Sequence, residues 1–149
     1  MKRRIAKGIA VFILATAMIG CSRVLPQKNH KPQQKAMAEV LVKSTSSWDA
    51  SELPAYPQGK PEITIIRVIV PPKTKLSIHE HPVISAIVIL KGQLTITTEK
   101  NKQLTANTGD AIVEVVDQWH YGENKSNKPV ELLVFYAGVQ DEPATINAN

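Results

Sequence analysis

The feature that most constrains the fold is a series of short β-branched runs separated by turn residues. From residue 39 onward no segment places its apolar residues at helical spacing. Breaks such as Pro71-Pro72, Gly92 and Gly109-Asp110 divide the runs. The candidate strands are Val40–Ser44, Glu62–Val70, Lys75–His81, Ile84–Lys91, Gln93–Glu99, Gln103–Asn107, Ala111–Val116 and Val130–Val139. This pattern predicts an all-β domain, either a sandwich or a barrel.

The length, charge and cysteine content exclude several other classes of protein. The 149 residues suffice for one domain, and a single Cys excludes an internal disulfide framework. Of the 18 bases, four lie in residues 1–20, where there is no acid. The rest of the chain therefore has 14 bases against 13 acids. Because the net positive charge belongs to the N-terminus, we expect no nucleic-acid partner.

The N-terminus has the order of a secretion signal. A basic start is followed by the apolar run 8–19 and by Gly20 before Cys21. Such a run would span about 18 Å as a helix, which is less than the ~30 Å core of a bilayer. The stretch Met18-Ile19-Gly20-Cys21 resembles the bacterial lipobox, in which the Cys is lipidated and becomes the first residue of the mature protein. We therefore predict a cleaved lipoprotein signal peptide over 1–20 and a lipid on Cys21; the alternative is an ordinary signal peptide with an incidental Cys.

Residues 21–38 are predicted to be a flexible tether and residues 39–149 the β-domain. The tether contains Pro26, Pro32 and four bases, with too little apolar content to pack. The expected location is the cell envelope, with the protein anchored to a membrane by its N-terminal lipid. Ser22 after the Cys resembles lipoproteins on the periplasmic face of the outer membrane, if the source is Gram-negative.

Two predicted strands, Ile84–Lys91 and Glu62–Val70, are apolar on both faces. Plain alternation would leave the outer face of the sheet polar, so we expect something to cover it. The cover is either the N-terminal strand around Val40 or a second copy of the chain. We favour a homodimer.

Histidines carry the chemistry that the sequence suggests. His79 and His81 are two residues apart on a predicted strand, so both rings leave the same face while Glu80 points the other way. Their Cβ atoms would be about 6 to 7 Å apart, which lets both imidazoles reach one ion. Such a pair is more often incidental than metal-binding, and a further ligand is needed to favour a metal site.

The wider pattern resembles the cupin superfamily. His79, His81 and Gly92 stand at the spacing of the first cupin motif, and Gly109, His120 and Asn124 at the spacing of the second. The resemblance covers residues 62–137 and implies a double-stranded β-helix, also called a jelly-roll barrel. It also implies that His79, His81 and His120 bind a divalent transition metal such as Fe, Zn, Mn, Ni or Cu.

Lys73 replaces the opening Gly of the first cupin motif, and Val115 and Asp117 replace the Pro and Gly of the second, but only one further departure concerns the metal ligands. Ser85 occupies the position of the first motif's Glu, so no carboxylate comes from the usual place. Ser85 would then place a hydroxyl or a water near the ion, or it is a small filler. Asn124 is expected to steady the local turn; the alternative is a place beside the ion. Glu114 and Glu123 are possible substitutes, although we expect both to be solvated. Tyr136 is a candidate for the cavity lining.

The sequence is compatible with two uses of the site. Three neutral imidazoles would leave the charge of the ion uncompensated, which favours an anionic or chelating small-molecule ligand in an apolar cavity. One reading is a dioxygenase-type enzyme that acts on such a molecule; the other is a module that binds the molecule or the metal without turnover. No catalytic residue beyond the metal ligands is evident, and a metal-free structural cupin is the third reading.

Overall fold

The computed structural model describes residues 35–148, and all the regular structure among them is β-strand. A compact unit begins at Ala38. The predicted signal peptide, the lipidated Cys21 and most of the tether lie outside the described residues. No helix of the described part is long and apolar enough to cross a membrane.

Ten strands form two antiparallel sheets. The strands are β1 (Pro61–Val70), β2 (Thr74–Lys75), β3 (His79–Glu80), β4 (Ile84–Lys91), β5 (Gln93–Thr98), β6 (Gln103–Asn107), β7 (Ala111–Val113), β8 (His120–Asn124), β9 (Val130–Val139) and β10 (Ile146–Asn147). One sheet has the order β1-β9-β4-β7, and the other has the order β10-β3-β8-β5-β6 with β2 also paired to β8. The all-β jelly-roll fold is therefore confirmed.

The core lies between the two sheets, because the strands alternate between buried and exposed positions. On β9 every second residue from Val130 to Tyr136 is buried, and β4 buries Ser85, Ile87 and Ile89. Leu94 and Ile96 of β5 and Ala106 of β6 face them from the second sheet. At Gly92, between β4 and β5, φ is +85°, and a Cβ would lie 3.1 Å from the Pro129 carbonyl oxygen. A side chain there would be both strained and crowded.

The predicted strands agree with the structure best where apolar residues line the interior. Ile84–Lys91 and Val130–Val139 are strands with the predicted bounds. Lys75–His81 is instead divided into β2 and β3. The prediction for Val40–Ser44 is wrong, because this segment forms no strand and is exposed.

Strand β8 was missing from the prediction although it is central to the second sheet. Its residues His120, Gly122 and Asn124 are buried, and the two residues between them are half-buried. The strand therefore does alternate, but polar groups and a glycine occupy its inner face. A pattern that looks for apolar residues cannot detect such a strand.

The outer face of the four-stranded sheet is apolar and exposed. It carries Ile63, Ile65 and Ile69 of β1 and Phe135 of β9, and the exposed fraction of Ile65 is 62%. Val40 does not cover this face, because it lies in no strand and is itself 75% exposed. The alternative of an N-terminal cover is therefore wrong, and within the described part of the chain this face is open.

Candidate metal centre

Three imidazole rings from the six-stranded sheet meet inside the barrel. His79 begins β3, His81 follows that strand, and His120 begins β8 directly opposite His79. The ring centroids are 4.5 to 5.1 Å apart. One ring nitrogen of each residue lies within 4.8 Å of those of the other two. The predicted convergence of the three rings is therefore present.

Backbone carbonyl groups orient all three rings. Nδ1 of His79 lies 2.8 Å from the Ser77 oxygen, and Nδ1 of His120 lies 2.8 Å from the Gln118 oxygen. Nδ1 of His81 lies 3.0 Å from the Ala144 oxygen. A carbonyl oxygen only accepts hydrogen bonds, so each Nδ1 carries the proton. In a neutral ring the lone pair is then on Nε2, the atom that remains to bind a metal ion.

Burial keeps the inner two rings neutral. His81 and His120 are each 2% exposed. The pKa of His81 is lowered to about 4, mainly by burial; the hydrogen bond to Ala144 opposes this shift, and the nearby His79 ring adds to it. Burial likewise lowers the pKa of His120. At neutral pH both rings are therefore in the unprotonated form that metal binding requires.

A carboxylate that was expected to be solvated lies against these rings. Glu114 directly follows β7 and is only 7% exposed, so the expectation of a solvated side chain is wrong for this residue. Its Oε2 is 3.5 Å from Nε2 of His81, and its Oε1 is 3.9 Å from Nε2 of His120. Burial raises the pKa of Glu114, and the His120 ring and the Ser85 hydroxyl oppose that shift. Glu123 is different: it is half-buried on β8 and pairs with Lys125.

Ser85 holds the Glu114 carboxylate. The Ser85 side chain is fully buried, and its Oγ donates a 3.0 Å hydrogen bond to Oε2 of Glu114. The backbone N–H of Glu114 also donates to the Ser85 carbonyl. Ala86 pairs with Val113, so Ser85 and Glu114 are the next opposite residues of β4 and the chain after β7. The serine is therefore neither a simple filler nor isolated from the site.

Tyr136 completes a polar row across the inner face of the four-stranded sheet. It lies opposite Ser85 on β9, and its ring centroid is 5.2 Å from that of His81. Burial raises the pKa of Tyr136, while the hydroxyl of Thr145 opposes the shift. Tyr136, Ser85 and Glu114 thus face the imidazoles from the opposite sheet.

Asn124 has a structural position away from this row. Its amide nitrogen lies 2.8 to 3.0 Å from the carbonyl oxygens of Val70, Pro71 and Lys128. Its Oδ1 accepts hydrogen bonds from the backbone and the hydroxyl of Ser126. Both ends of the amide are therefore used to fix the loop after β8. The hydrogen bonds tie Asn124, the last residue of β8, to the loop that follows, as expected for a residue that steadies the turn.

The Nε2 atoms of the histidines and the Glu114 carboxylate are arranged so that they could bind a cation. Nε2 of His120 is buried and has no hydrogen-bond partner. The facing Nε2 and carboxylate oxygen atoms are all acceptors when the rings are neutral and the acid is ionised. Two ligands at roughly 2.1 Å from one ion, at tetrahedral or octahedral angles, are roughly 3.0 to 3.4 Å apart. The observed distances of 3.5 and 3.9 Å come close to this separation.

Two cavities lie elsewhere in the described chain. One of about 480 Å³ lies between the segments 39–48 and 104–113. The other, of about 230 Å³, lies beside Tyr56, Ile63 and Val139. Neither is lined by the three histidines, so neither is the apolar cavity that was expected around the ion. The half-buried ring of His79 is the most accessible of the three.

Comparison with known proteins identifies the domain. Residues 66–136 match the family model described as a cupin domain. No curated protein matches the sequence. Among solved structures, the chain is similar to the DMSP lyase DddQ from Ruegeria pomeroyi, with 21% identity and a TM-score of 0.51 over 58% of this chain and 43% of that one.

Two further structures show the same fold. A cupin-like protein from Thermotoga maritima is 13% identical, with a TM-score of 0.53 over 58% of this chain and 65% of that one. The polyketide cyclase RemF from Streptomyces resistomycificus is 16% identical, with a TM-score of 0.50 over 61% and 63%. The chain thus spans between 43% and 65% of these three structures. Identities this low establish the fold alone. Residues 66–136 therefore form a cupin domain.

Proposed function

We propose that the barrel binds one divalent transition metal through Nε2 of His79, His81 and His120. The observation that carries this proposal is that three rings whose Nδ1 atoms are held by carbonyls each have a ring nitrogen within 4.8 Å of the other two, which leaves their Nε2 lone pairs for one ion. Imidazole nitrogen suits Fe, Zn, Ni and Cu, so the ligand type alone does not choose between them.

The proposed use of the ion is metal-dependent chemistry on a small chelating molecule, with an oxygenase-type reaction as the first candidate. A bound ion would supply a Lewis acid and, if it is iron, redox chemistry. The chain's own part is to hold the rings in one tautomer, to exclude water with the buried side chains around His81 and His120, and to place Tyr136 beside the site. The solved relatives include a lyase and a cyclase, so other reaction types occur on this fold.

A non-catalytic metal- or ligand-binding module is the second candidate. The observation in its favour is the close packing of the centre, where His81, His120 and Glu114 are each less than a tenth exposed. The two cavities described above lie away from these residues. A centre with little room beside the ion is better suited to holding a metal than to turning over a large substrate.

The first prediction concerns metal binding. His81→Ala and His120→Ala each remove one of the three Nε2 ligands, so we expect each to weaken metal affinity by at least about 100-fold. Glu80→Ala is the matched control, because Glu80 points to the opposite face of β3 and should leave the affinity unchanged. Competition with a chromophoric chelator measures the affinity. Parental affinity in His120→Ala would show that the ring is not a ligand.

The second prediction separates the enzyme from the binding module. The Fe(II)-loaded protein is tested for oxygen uptake with a panel of chelating organic acids, thiols and diketones. We expect uptake with at least one class, and none in His120→Ala. If Fe(II) binds tightly but no compound supports uptake, the oxygenase proposal fails and the binding module is favoured.

The proposed location is the cell envelope, with a lipid on Cys21. This proposal rests on the sequence alone. We expect protein purified from its native membrane to begin at Cys21 and to carry a lipid mass, as mass spectrometry would show. A Cys21→Ser variant should move to the soluble fraction. An N-terminal Cys21 with a free thiol would contradict the anchor.

A second copy of the chain is the proposed cover for the exposed apolar face of the four-stranded sheet. We expect light scattering of the chain from Ser22 onward to give a dimer mass. Ile65→Asp places a charge in the middle of that face and should give a monomer. Gln103→Asp, an exposed position on β6 in the other sheet, is the control and should remain dimeric. A monomer mass for the parent chain would contradict the proposal.

A further inference from the structure

We propose that Glu114 is a fourth protein ligand of the ion and that Ser85 holds its carboxylate in place. The ligand would thus have moved from the strand on which the cupin motif places a Glu, β4, to the neighbouring chain after β7. This inference rests on the proposed metal binding by the three histidines and adds a residue to that site.

The position of Glu114 supports the inference. Its carboxylate oxygens lie 3.5 Å from Nε2 of His81 and 3.9 Å from Nε2 of His120. These are the same two atoms that the orientation of the rings leaves for a metal ion. One carboxylate thus faces two imidazole nitrogens across a gap that one ion could bridge with small movements of the side chains.

The polarity of this contact supports it as well. Nδ1 of His81 and Nδ1 of His120 each lie against a carbonyl oxygen, so the lone pair of each neutral ring is on Nε2. The two carboxyl oxygens of Glu114 lie against these same Nε2 atoms. Imidazole nitrogen and carboxylate oxygen are both ligands that a divalent transition metal accepts.

The serine provides both room and orientation. Ser85 is a direct cross-strand neighbour of Glu114, and its hydroxyl donates to Oε2. A Glu at position 85 would bring a second carboxylate to the same buried level, where like charges repel each other. A small hydroxyl at 85 and a carboxylate at 114 are therefore complementary. The carboxylate also removes one of the two positive charges that a divalent ion would keep with neutral imidazoles alone.

The experiment compares metal affinity and coordination in the full-length protein, with Co(II) as the probe. Glu114→Gln preserves the size of the side chain but removes its charge, so we expect affinity to fall by about 10- to 100-fold and the Co(II) absorption spectrum to change. Ser85→Ala should lower the affinity less, because the carboxylate remains but is no longer held. Glu123→Gln, which alters a half-exposed carboxylate on β8, is the matched control and should leave both readouts unchanged.

An exchange of the residues at positions 85 and 114 tests directly whether the carboxylate ligand has moved from one position to the other. This move is called the transposition below. Ser85→Glu alone should bind Co(II) more weakly than the parent, whereas Ser85→Glu combined with Glu114→Ser should recover affinity to within about tenfold. Failure of the folded double variant to recover affinity would overturn the transposition. Parental affinity and an unchanged spectrum in Glu114→Gln would overturn the ligand role, while the histidine variants would still report on the site. If the parent itself binds no metal, the proposed function fails first.

Discussion

The site depends on three hydrogen bonds between imidazole Nδ1 atoms and backbone carbonyls. Two of them are local: His79 and His120 each bond the carbonyl two residues earlier in the chain. The third joins His81 to Ala144, 63 residues away, beside the short strand β10. The C-terminal segment therefore belongs to the centre as much as the two histidine motifs do. Without these carbonyls each ring could rotate or change tautomer, and the three Nε2 atoms would have no reason to share one direction.

The parts of the structure that could be predicted from the sequence are those that apolar alternation or fixed spacing encodes. The bounds of β4 and β9 follow from their β-branched residues, and His79, His81 and His120 follow from motif spacing. Strand β8 was missed because its inner face holds His120 and Asn124 in place of apolar residues. Polar residues can face inward there because hydrogen bonds satisfy the amide of Asn124 and Nδ1 of His120. Periodicity reports on apolar burial, so it fails where a strand buries polar groups.

Glu114 was a candidate carboxylate in the sequence, but its burial could not be predicted, for a different reason. Its burial is a consequence of strand register: β4 and β7 pair so that Ser85 and Glu114 are opposite each other, and a shift of one residue would point the carboxylate outward. Register is a long-range property that spacing along the chain does not contain. The one local signal was the Ser at a position where the cupin motif has a Glu. Once the pairing of β4 and β7 is known, the absence of a carboxylate at Ser85 makes the opposite residue, Glu114, the candidate to replace it.

Burial of these acceptors has an energetic consequence for the whole barrel. A buried polar group without a partner costs about 1 to 3 kcal/mol, and Nε2 of His120 is such a group. The Glu114 carboxyl against His81 and His120 is buried as well, and burial raises its pKa. The apolar core on either side of the site must therefore offset a local destabilisation that a simple structural barrel would avoid with aliphatic side chains. An ion in this place would turn the same contacts into favourable ones, so binding and folding would be coupled through a site that the core holds ready.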